Sequence, residues 1–176
     1  MSFYRLLGAA VAQLFLIFLI ISPELITRMT GREITLKVSK AFKDDIIVRS
    51  CLNLKFEHLD YDSLKTQTRD TDLYLGQKVF IPLRQEGEVW VPKKGFQTEK
   101  PEGEVFVTAK VDCAAFSTKD CWHGEKFIFD FEAYFAPEWA VKSFSLENKD
   151  VKAKLLVDKS GHAALVKLIV NGSPWP

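Results

Sequence analysis

Cys113 and Cys121, with His123 close behind, are the residues whose types and spacing best suit chemistry in this chain. In an exported protein the two thiols could form a disulfide that closes a short loop and stabilises the fold by about 2–3 kcal/mol. In a reducing compartment they would stay free. A metal site would need a fourth ligand and closer cysteine spacing, and this segment offers neither. We therefore predict a Cys113–Cys121 disulfide on condition of export, and no metal or other cofactor.

The third cysteine, Cys51, lies on a segment whose alternation places Leu52 and Leu54 toward the core and Cys51 toward solvent. An outward thiol could be reactive or carry a lipid, but no lipid-attachment motif surrounds it. A thiol enzyme would also need a partner histidine, and no histidine here stands in a cysteine-enzyme signature. We expect Cys51 to be an ordinary strand residue.

Glu138 stands between Pro137 and Trp139, and a carboxylate beside a tryptophan suits carbohydrate binding or hydrolysis. Glycoside hydrolysis needs a second carboxylate, and the sequence does not place one opposite Glu138. The structural alternative is a short helix within residues 138–149, where an acid in the first turn interacts favourably with the helix dipole. We favour the structural role.

Four acids in a polar stretch could supply oxygen ligands for Ca²⁺. They lack the glycine and the closing glutamate of an EF-hand loop, and Lys65 and Arg69 are interleaved with them. We therefore interpret residues 58–76 as a long solvated loop. The four acids are Asp60, Asp62, Asp70 and Asp72.

The elements that would position these residues are mainly strands, because apolar residues alternate with polar ones over most of the chain. A turn at 158–161 with a glycine favours a closing hairpin. Mainly β architecture follows: an antiparallel sandwich or barrel-like domain of about eight strands. The predicted strands are 33–40, 48–57, 78–83, 88–91, 104–112, 126–135, 151–157 and 163–170.

An apolar run at residues 6–21 is interrupted only by Gln13. Counted from residue 3 to 21, a helix would span roughly 28 Å, close to the hydrocarbon thickness of a bilayer. We predict one N-terminal transmembrane helix. The alternatives are a cleaved secretory signal, which the absence of a small-residue cleavage site disfavours, and a buried soluble helix. The predicted divisions are a signal anchor at 1–23, a connector at 24–32 and an exported β domain at 33–176.

Small residues on one side of this helix, together with Gln13, would form a packing face for a partner helix in the membrane. These residues are Gly8, Ala9 and Ala12. The chain carries 24 Lys and Arg against 23 Asp and Glu, a formal net charge of +1. This balance excludes the basic footprint of a nucleic-acid-binding protein. We expect an integral membrane protein as the partner, and no nucleic acid.

The layout resembles the GDYXXLXY family of bacterial membrane-anchored proteins. Residues 134–138 are similar to its aromatic-x-x-Pro-Glu element, with Pro137 and Glu138 in place, and the hairpin with Gly161 and Gly172 is similar to its closing hairpin. Residues 78–83 resemble its middle strand. At the name-giving motif only Leu54 and the aromatic Phe56 fit, because its Gly, Asp and Tyr positions hold Arg49, Ser50 and Cys51.

The resemblance implies a protein of the bacterial inner membrane with its N-terminus inside and its β domain exported. It also implies association with larger membrane partners and no known catalysis. The first hypothesis is therefore an accessory or assembly component of a membrane complex, with Tyr134 and the 58–76 loop as candidate partner contacts. The alternatives are an envelope hydrolase using Glu138 or Cys51, and a small-ligand carrier with an apolar cavity.

Overall fold

The computed structural model describes residues 7–8, 10–11, 13, 15, 25, 27–46, 49–68, 73–112 and 126–176. None of the helices in this part is long and apolar enough to cross a membrane. Residues 27–30 are helical and lead directly into the first strand. The strands are β1 Arg32–Ile46, β2 Arg49–Phe56, β3 Lys78–Glu86, β4 Val89–Pro92, β5 Val105–Asp112, β6 Lys126–Ile128, β7 Ala133–Phe135, β8 Val151–Val157, β9 Ala163–Val170 and β10 Ser173–Trp175. The helices α1 and α2 span Tyr61–Lys65 and Glu138–Ser143.

The described strands form two antiparallel sheets, which confirms the mainly β antiparallel prediction. The six-stranded sheet has the order β10-β9-β8-β1-β2-β7, and the four-stranded sheet has the order β4-β3-β5-β6. Apolar side chains of both sheets belong to one cluster, and many of them are almost fully shielded from solvent. Burying a leucine or isoleucine stabilises the fold by about 1.5–3 kcal/mol. The most deeply buried large residues include Ile34, Leu52, Leu54, Ile81, Val107 and Leu155.

Strand β1 is longer than the predicted 33–40 because it changes partner along its length. Residues Arg32 to Lys37 pair with β8, and Val38 to Ile46 pair with β2. The register shifts between Val38 and Lys40, where a bulge bends the strand. The bend curls the six-stranded sheet.

The predicted strand at 126–135 is wrong as a single strand. Its first part is β6 of the four-stranded sheet and its last part is β7 of the six-stranded sheet, so the chain crosses between sheets at a turn around Asp130 and Phe131. Phe127, Phe129 and Phe131 are all buried. Alternate burial of this kind looks the same whether the chain stays in one sheet or crosses to the other, which explains the error.

The 58–76 stretch is not the solvated, unstructured loop that its polarity predicts. It contains α1, which begins after Asp60, whose carboxylate accepts a hydrogen bond from the Ser63 N–H at 3.0 Å. Three leucines of the described part of this stretch are buried. An aspartate N-cap and a few apolar anchors fix this segment to the core despite its charge.

Three other predictions of local structure are confirmed. Strands β3 and β4 form a hairpin, β8 and β9 form another, and α2 lies within 138–149. Strand β10 was not predicted. It follows a tight turn in which Asn171 and Gly172 both have positive φ, at 51° and 82°, and this Asn-Gly pair is a strong hairpin signal.

Candidate functional site

The two ends of the curled six-stranded sheet approach each other. The hydroxyl of Tyr134 in β7 donates to the carbonyl of Trp175 in β10 at 3.4 Å, and the ring centroids of these residues lie 5.9 Å apart. Phe144, just after α2, also packs on Trp175, with the two ring centroids 4.9 Å apart. We call the junction between β7 and the β9–β10 hairpin the seam. Side chains close the seam at this point.

Beside Tyr134 the seam opens into a cleft of about 570 Å³, which we call the seam cleft. One wall is β7, from Ala133 to Phe135, and the other is residues 163–166 of β9. Thr27 and Arg28, from the helical residues before β1, also line it. The volume is that of a binding site for a small molecule or a short peptide.

The outer edge of the β7 wall is paired with no described strand. The N–H of Leu54 donates to the carbonyl of Glu132 at 2.8 Å, and the next pairs place Ala133 opposite Asn53 and Tyr134 opposite Leu52. Alternate residues of an antiparallel strand turn their backbone groups to opposite sides. The N–H and C=O groups of Ala133 and Phe135 therefore point away from β2 and into the seam.

The β9 wall presents a second edge. Strand β10 pairs with Leu168 to Val170 only, so residues 163–166 have a paired strand on one side alone among the described residues. The N–H of Asp158 donates to the carbonyl of His162 at 3.0 Å, which sets the phase of the β8–β9 hairpin. The same alternation turns the backbone groups of Ala163 and Leu165 into the cleft.

A few polar groups surround these edges. His162 Nδ1 lies 3.9 Å from Asp130 Oδ2 across the cleft lining, with both side chains about half exposed. Thr27 is buried and donates from Oγ1 to Asp158 Oδ2 at 2.9 Å. This bond fixes the helical residues before β1 to the β8–β9 turn. Burial raises the pKa of the Tyr134 hydroxyl, an effect that the backbone of Leu168 partly opposes.

Exposed apolar side chains also lie along the rim of the seam cleft. Phe135 and Val166, one on each wall, are 56% and 43% exposed, and Met29, next to Arg28, is 77% exposed. Exposed apolar side chains around a cleft are typical of an interaction site. Among the described residues that line the cleft, Asp130 is the one carboxylate, and its nearest ionisable neighbour there is His162.

Comparison with known proteins places the chain in a family. The model of the GDYXXLXY protein family matches residues 13–168, most of the chain. The chain belongs to the GDYXXLXY family. No curated protein and no solved structure matches it significantly.

Two family-motif positions in the GDYXXLXY chain lie in the core. Leu54 is fully buried and Phe56 nearly so, on the inner face of β2. Pro137 and Glu138 begin α2, directly after the β7 wall of the seam cleft.

Gly161 joins the two sheets. Its carbonyl accepts from the Thr108 N–H at 3.0 Å and from Thr108 Oγ1 at 3.2 Å. Its φ is 78°, and an added Cβ would lie 2.5 Å from Phe106 Cε2. The other family glycine, Gly172, has φ 82° with nothing within 4 Å of such a Cβ. Gly161 therefore serves a close approach as well as a turn.

Cys51 is buried, 3% exposed, and the prediction that it faces solvent is wrong. Its strand has a neighbour on each side, and Cys51 lies directly opposite Phe135 of β7. Helix α2 also contacts β2. Cover by neighbouring elements is not revealed by the alternation of one strand. A buried thiol of this kind lacks access to a substrate.

Glu138 lies in the first turn of α2, as predicted, and forms an ion pair with Lys142 one turn later. The hydrogen bond from Lys142 and its charge lower the pKa of the Glu138 carboxyl. An ionised, exposed carboxylate is unsuited to acting as a general acid. Within the described residues no group of three or more acidic, cysteine or histidine side chains could hold a metal ion. Asp70 and Asp72, the other two acids of the predicted oxygen-ligand set, lie outside the described residues.

Several predictions fall on residues outside the described part of the chain. The Cys113–Cys121 disulfide lies there entirely, as do Ala9 and Ala12 of the predicted helix-packing face. Gly8 and Gln13 are described, helical and exposed. The disulfide and the packing face remain predictions.

Sequence reasoning missed Arg28, Asp130, His162 and Val166. Each is unremarkable in its own segment, and the fold brings them together only where the sheet ends meet. The Asn-Gly signal at 171–172 could have revealed β10, and with it the partial cover of β9 that leaves the cleft open.

Proposed function

We propose that this GDYXXLXY protein is a single-pass protein of the bacterial inner membrane, with its N-terminus inside and its β domain on the extracytoplasmic side. The domain acts as a non-catalytic accessory or assembly component of a membrane complex. The observation that carries the proposal is the seam cleft, with two strand edges that no described strand covers and exposed apolar side chains beside them. Surfaces of this kind need a binding partner to be shielded from water.

The position of the seam cleft supports a partner in the membrane. The apolar run ends at Ile21, and Thr27, which lines the cleft, is fixed to the β domain through Asp158. Six residue steps cover at most about 21 Å of extended chain. If the run spans the bilayer, the cleft faces the membrane at short range.

The envelope-hydrolase alternative gains no support from the geometry. Cys51 is buried, and Glu138 is ion-paired to Lys142 rather than set opposite a second carboxylate in the described residues. The small-ligand alternative is favoured by one observation, the volume of the seam cleft, which falls in the range of small-molecule sites. However, the cleft is an open groove between strand edges rather than an enclosed apolar cavity.

Affinity purification of the tagged full-length protein in mild detergent, followed by mass spectrometry, tests the proposal. We expect a stoichiometric set of integral membrane proteins. The matched variants are Phe135→Ser, at the rim of the cleft, and Tyr74→Ser, at an equally exposed position away from it. Loss of the partners with Phe135→Ser alone would support the seam cleft as the docking site. A wild-type protein that purifies alone would overturn the proposal.

A further inference from the structure

We propose that the seam cleft binds an extended segment of the membrane partner by strand addition. The segment would lie between β7 and residues 163–166 of β9 and hydrogen-bond to both. This inference rests on the proposed function and specifies the chemistry of the partner's contact: a juxtamembrane segment in β conformation.

Backbone groups on both walls carry the inference. Ala133 and Phe135 on β7, and Ala163 and Leu165 on β9, turn their N–H and C=O groups into the cleft, as the hydrogen-bond phase of each strand requires. No described strand pairs with these groups. A segment between two such edges satisfies both at once, whereas a partner bound at one edge would leave the other unpaired.

The width of the seam suits one strand. A sheet that lacks one strand leaves roughly 9–10 Å between the flanking backbones, twice the usual spacing. At the closed end of the cleft, the Tyr134 side chain spans the seam from β7 to the backbones of Leu168 and Trp175. One extended tyrosine with its hydrogen bond therefore covers about the distance that a strand backbone would fill beside it. Strand β10 already fills the equivalent position beside Leu168 to Val170.

The dimensions and lining define the segment. Residues 163–166 match about four residues of extended chain, roughly 13 Å long. Leu165 and Tyr134 pack against the core, so the inward side chain of the segment is apolar. Phe135 and Val166 are exposed on the outer side, so an outward apolar residue also gains contact.

The length of chain between the apolar run and the cleft restricts where the segment comes from. Because Thr27 lies within about 21 Å of Ile21 along the chain, a partner segment that reaches the cleft leaves the bilayer close by. A segment that follows or precedes a transmembrane helix of the partner meets this condition. A soluble ligand or a distant domain would not require the cleft to lie close to the bilayer.

Site-specific photo-crosslinking tests the occupant. A benzophenone side chain placed at Phe135 or at Val166, in the full-length protein within its native membrane, should crosslink to one continuous stretch of a single membrane protein, mapped by mass spectrometry. The same side chain at Tyr74, exposed to a similar degree, is the control. Adducts with lipid alone, adducts with unrelated proteins, or no adduct at either position would overturn strand addition.

A backbone variant separates strand addition from ordinary side-chain contact. Ala133→Pro removes an N–H that points into the seam. The side chain of residue 133 is exposed and lies on an edge strand, where proline is tolerated. Ala133→Ser keeps the N–H. We expect Ala133→Pro to reduce partner retention at least tenfold and Ala133→Ser to leave it unchanged, with circular dichroism to check folding.

The outcomes distinguish the two proposals. If wild-type protein retains its partner and folded Ala133→Pro retains it equally, strand addition fails and the accessory function stands. If the wild type retains no partner, the accessory function fails. Should Ala133→Pro not fold, the crosslinking experiment decides the matter alone.

Discussion

The two ends of the six-stranded sheet are held in different ways. At one end, β8 and β9 pair over seven residues, and their turn is fixed to the four-stranded sheet through Gly161. At the other end, β7 pairs with β2 over three residues only. Its further support comes from two side chains, Tyr134 across the seam and Glu132, whose Oε1 lies 2.6 Å from Lys55 Nζ.

This difference shows why the candidate site lies where it does. Backbone pairing on both sides fixes β8, so its edges offer nothing to a partner. A short edge strand held by a few side chains leaves hydrogen-bonding groups available and can adjust by small movements when a partner adds to it. One wall of the binding site, β7, is therefore the less constrained end of the sheet, and the other wall is the part of β9 that β10 does not cover.

The largest effect on stability is expected from a substitution in the β8–β9 turn, which is fixed to the four-stranded sheet. Gly161→Ala places a methyl group against Phe106 and Thr108 in a left-handed backbone conformation, so we expect a loss of about 2–4 kcal/mol in the free energy of unfolding. Urea denaturation of the full-length protein in detergent measures it.

Gly172→Ala is the matched control for Gly161→Ala. Its φ is equally positive, but the added methyl meets no atom, so only the conformational strain of about 1 kcal/mol remains. Equal losses in the two variants would show that the contact of Gly161 with β5 contributes nothing.

A second variant weakens the β7 end. Lys55→Met leaves the Glu132 carboxylate, 13% exposed, without its cation, and we expect a loss of about 1–3 kcal/mol. Lys37→Met, which removes the more exposed pair with Glu57, should cost less than about 1 kcal/mol. Denaturation midpoints of the two variants check the order, and a larger loss for Lys37→Met would contradict it.

Tyr134→Phe tests how much the tyrosine hydroxyl supports β7, through the pH dependence of the free energy of unfolding. The variant loses the bond to Trp175, so we expect it to be less stable than wild type by about 0.5–1.5 kcal/mol at neutral pH. Burial raises the pKa of Tyr134 above the value of about 10 in the unfolded chain. Its contribution is therefore fully present below pH 10 and is lost as the pH rises through the folded pKa.

The measurement for Tyr134→Phe is the unfolding free energy of both proteins between pH 7 and pH 11. The stability of wild type should fall toward that of the variant at the alkaline end. A difference that stays constant over this range would mean that the hydroxyl is not shielded in the seam.

The smallest effect on stability is expected for Phe135→Ser. The side chain is more than half exposed, so the unfolding free energy should change by no more than about 0.5 kcal/mol. Thermal denaturation measures this directly. A large loss would show that Phe135 supports the fold, and the variant could then no longer report on partner binding.

Local patterns in the sequence predict the elements whose partners are close along the chain. Regular alternation from Val151 to Val157, followed by a turn with Gly161, predicts the β8–β9 hairpin correctly. The acid and proline before residue 139 predict α2. In these places propensity, turn chemistry and burial agree, and the pairing partner lies within a few residues.

Long-range pairing explains what the sequence could not predict. The extent of β1 depends on two partners, β8 and β2, and the division of residues 126–135 depends on which sheet each half joins. Tyr134 was predicted as a partner contact because its strand position suggested exposure, but its role in closing the seam depends on Trp175. Cys51 was misjudged for a similar reason, since neighbouring strands decide its burial.

The course of the chain through the two sheets has a consequence for how the protein folds. It begins in the six-stranded sheet with β1 and β2, leaves to build the four-stranded sheet, and returns with β7 to β10. Arg32 pairs with Val157. The first half of β1 therefore cannot pair until nearly the whole domain has been synthesised, because its partner β8 lies near the end of the chain. Pairings so distant along the chain slow folding. A chain that emerges N-terminus first therefore exposes the unpaired apolar half of β1 until synthesis is almost complete. We expect misassembly to begin at this strand, and a chaperone to bind it.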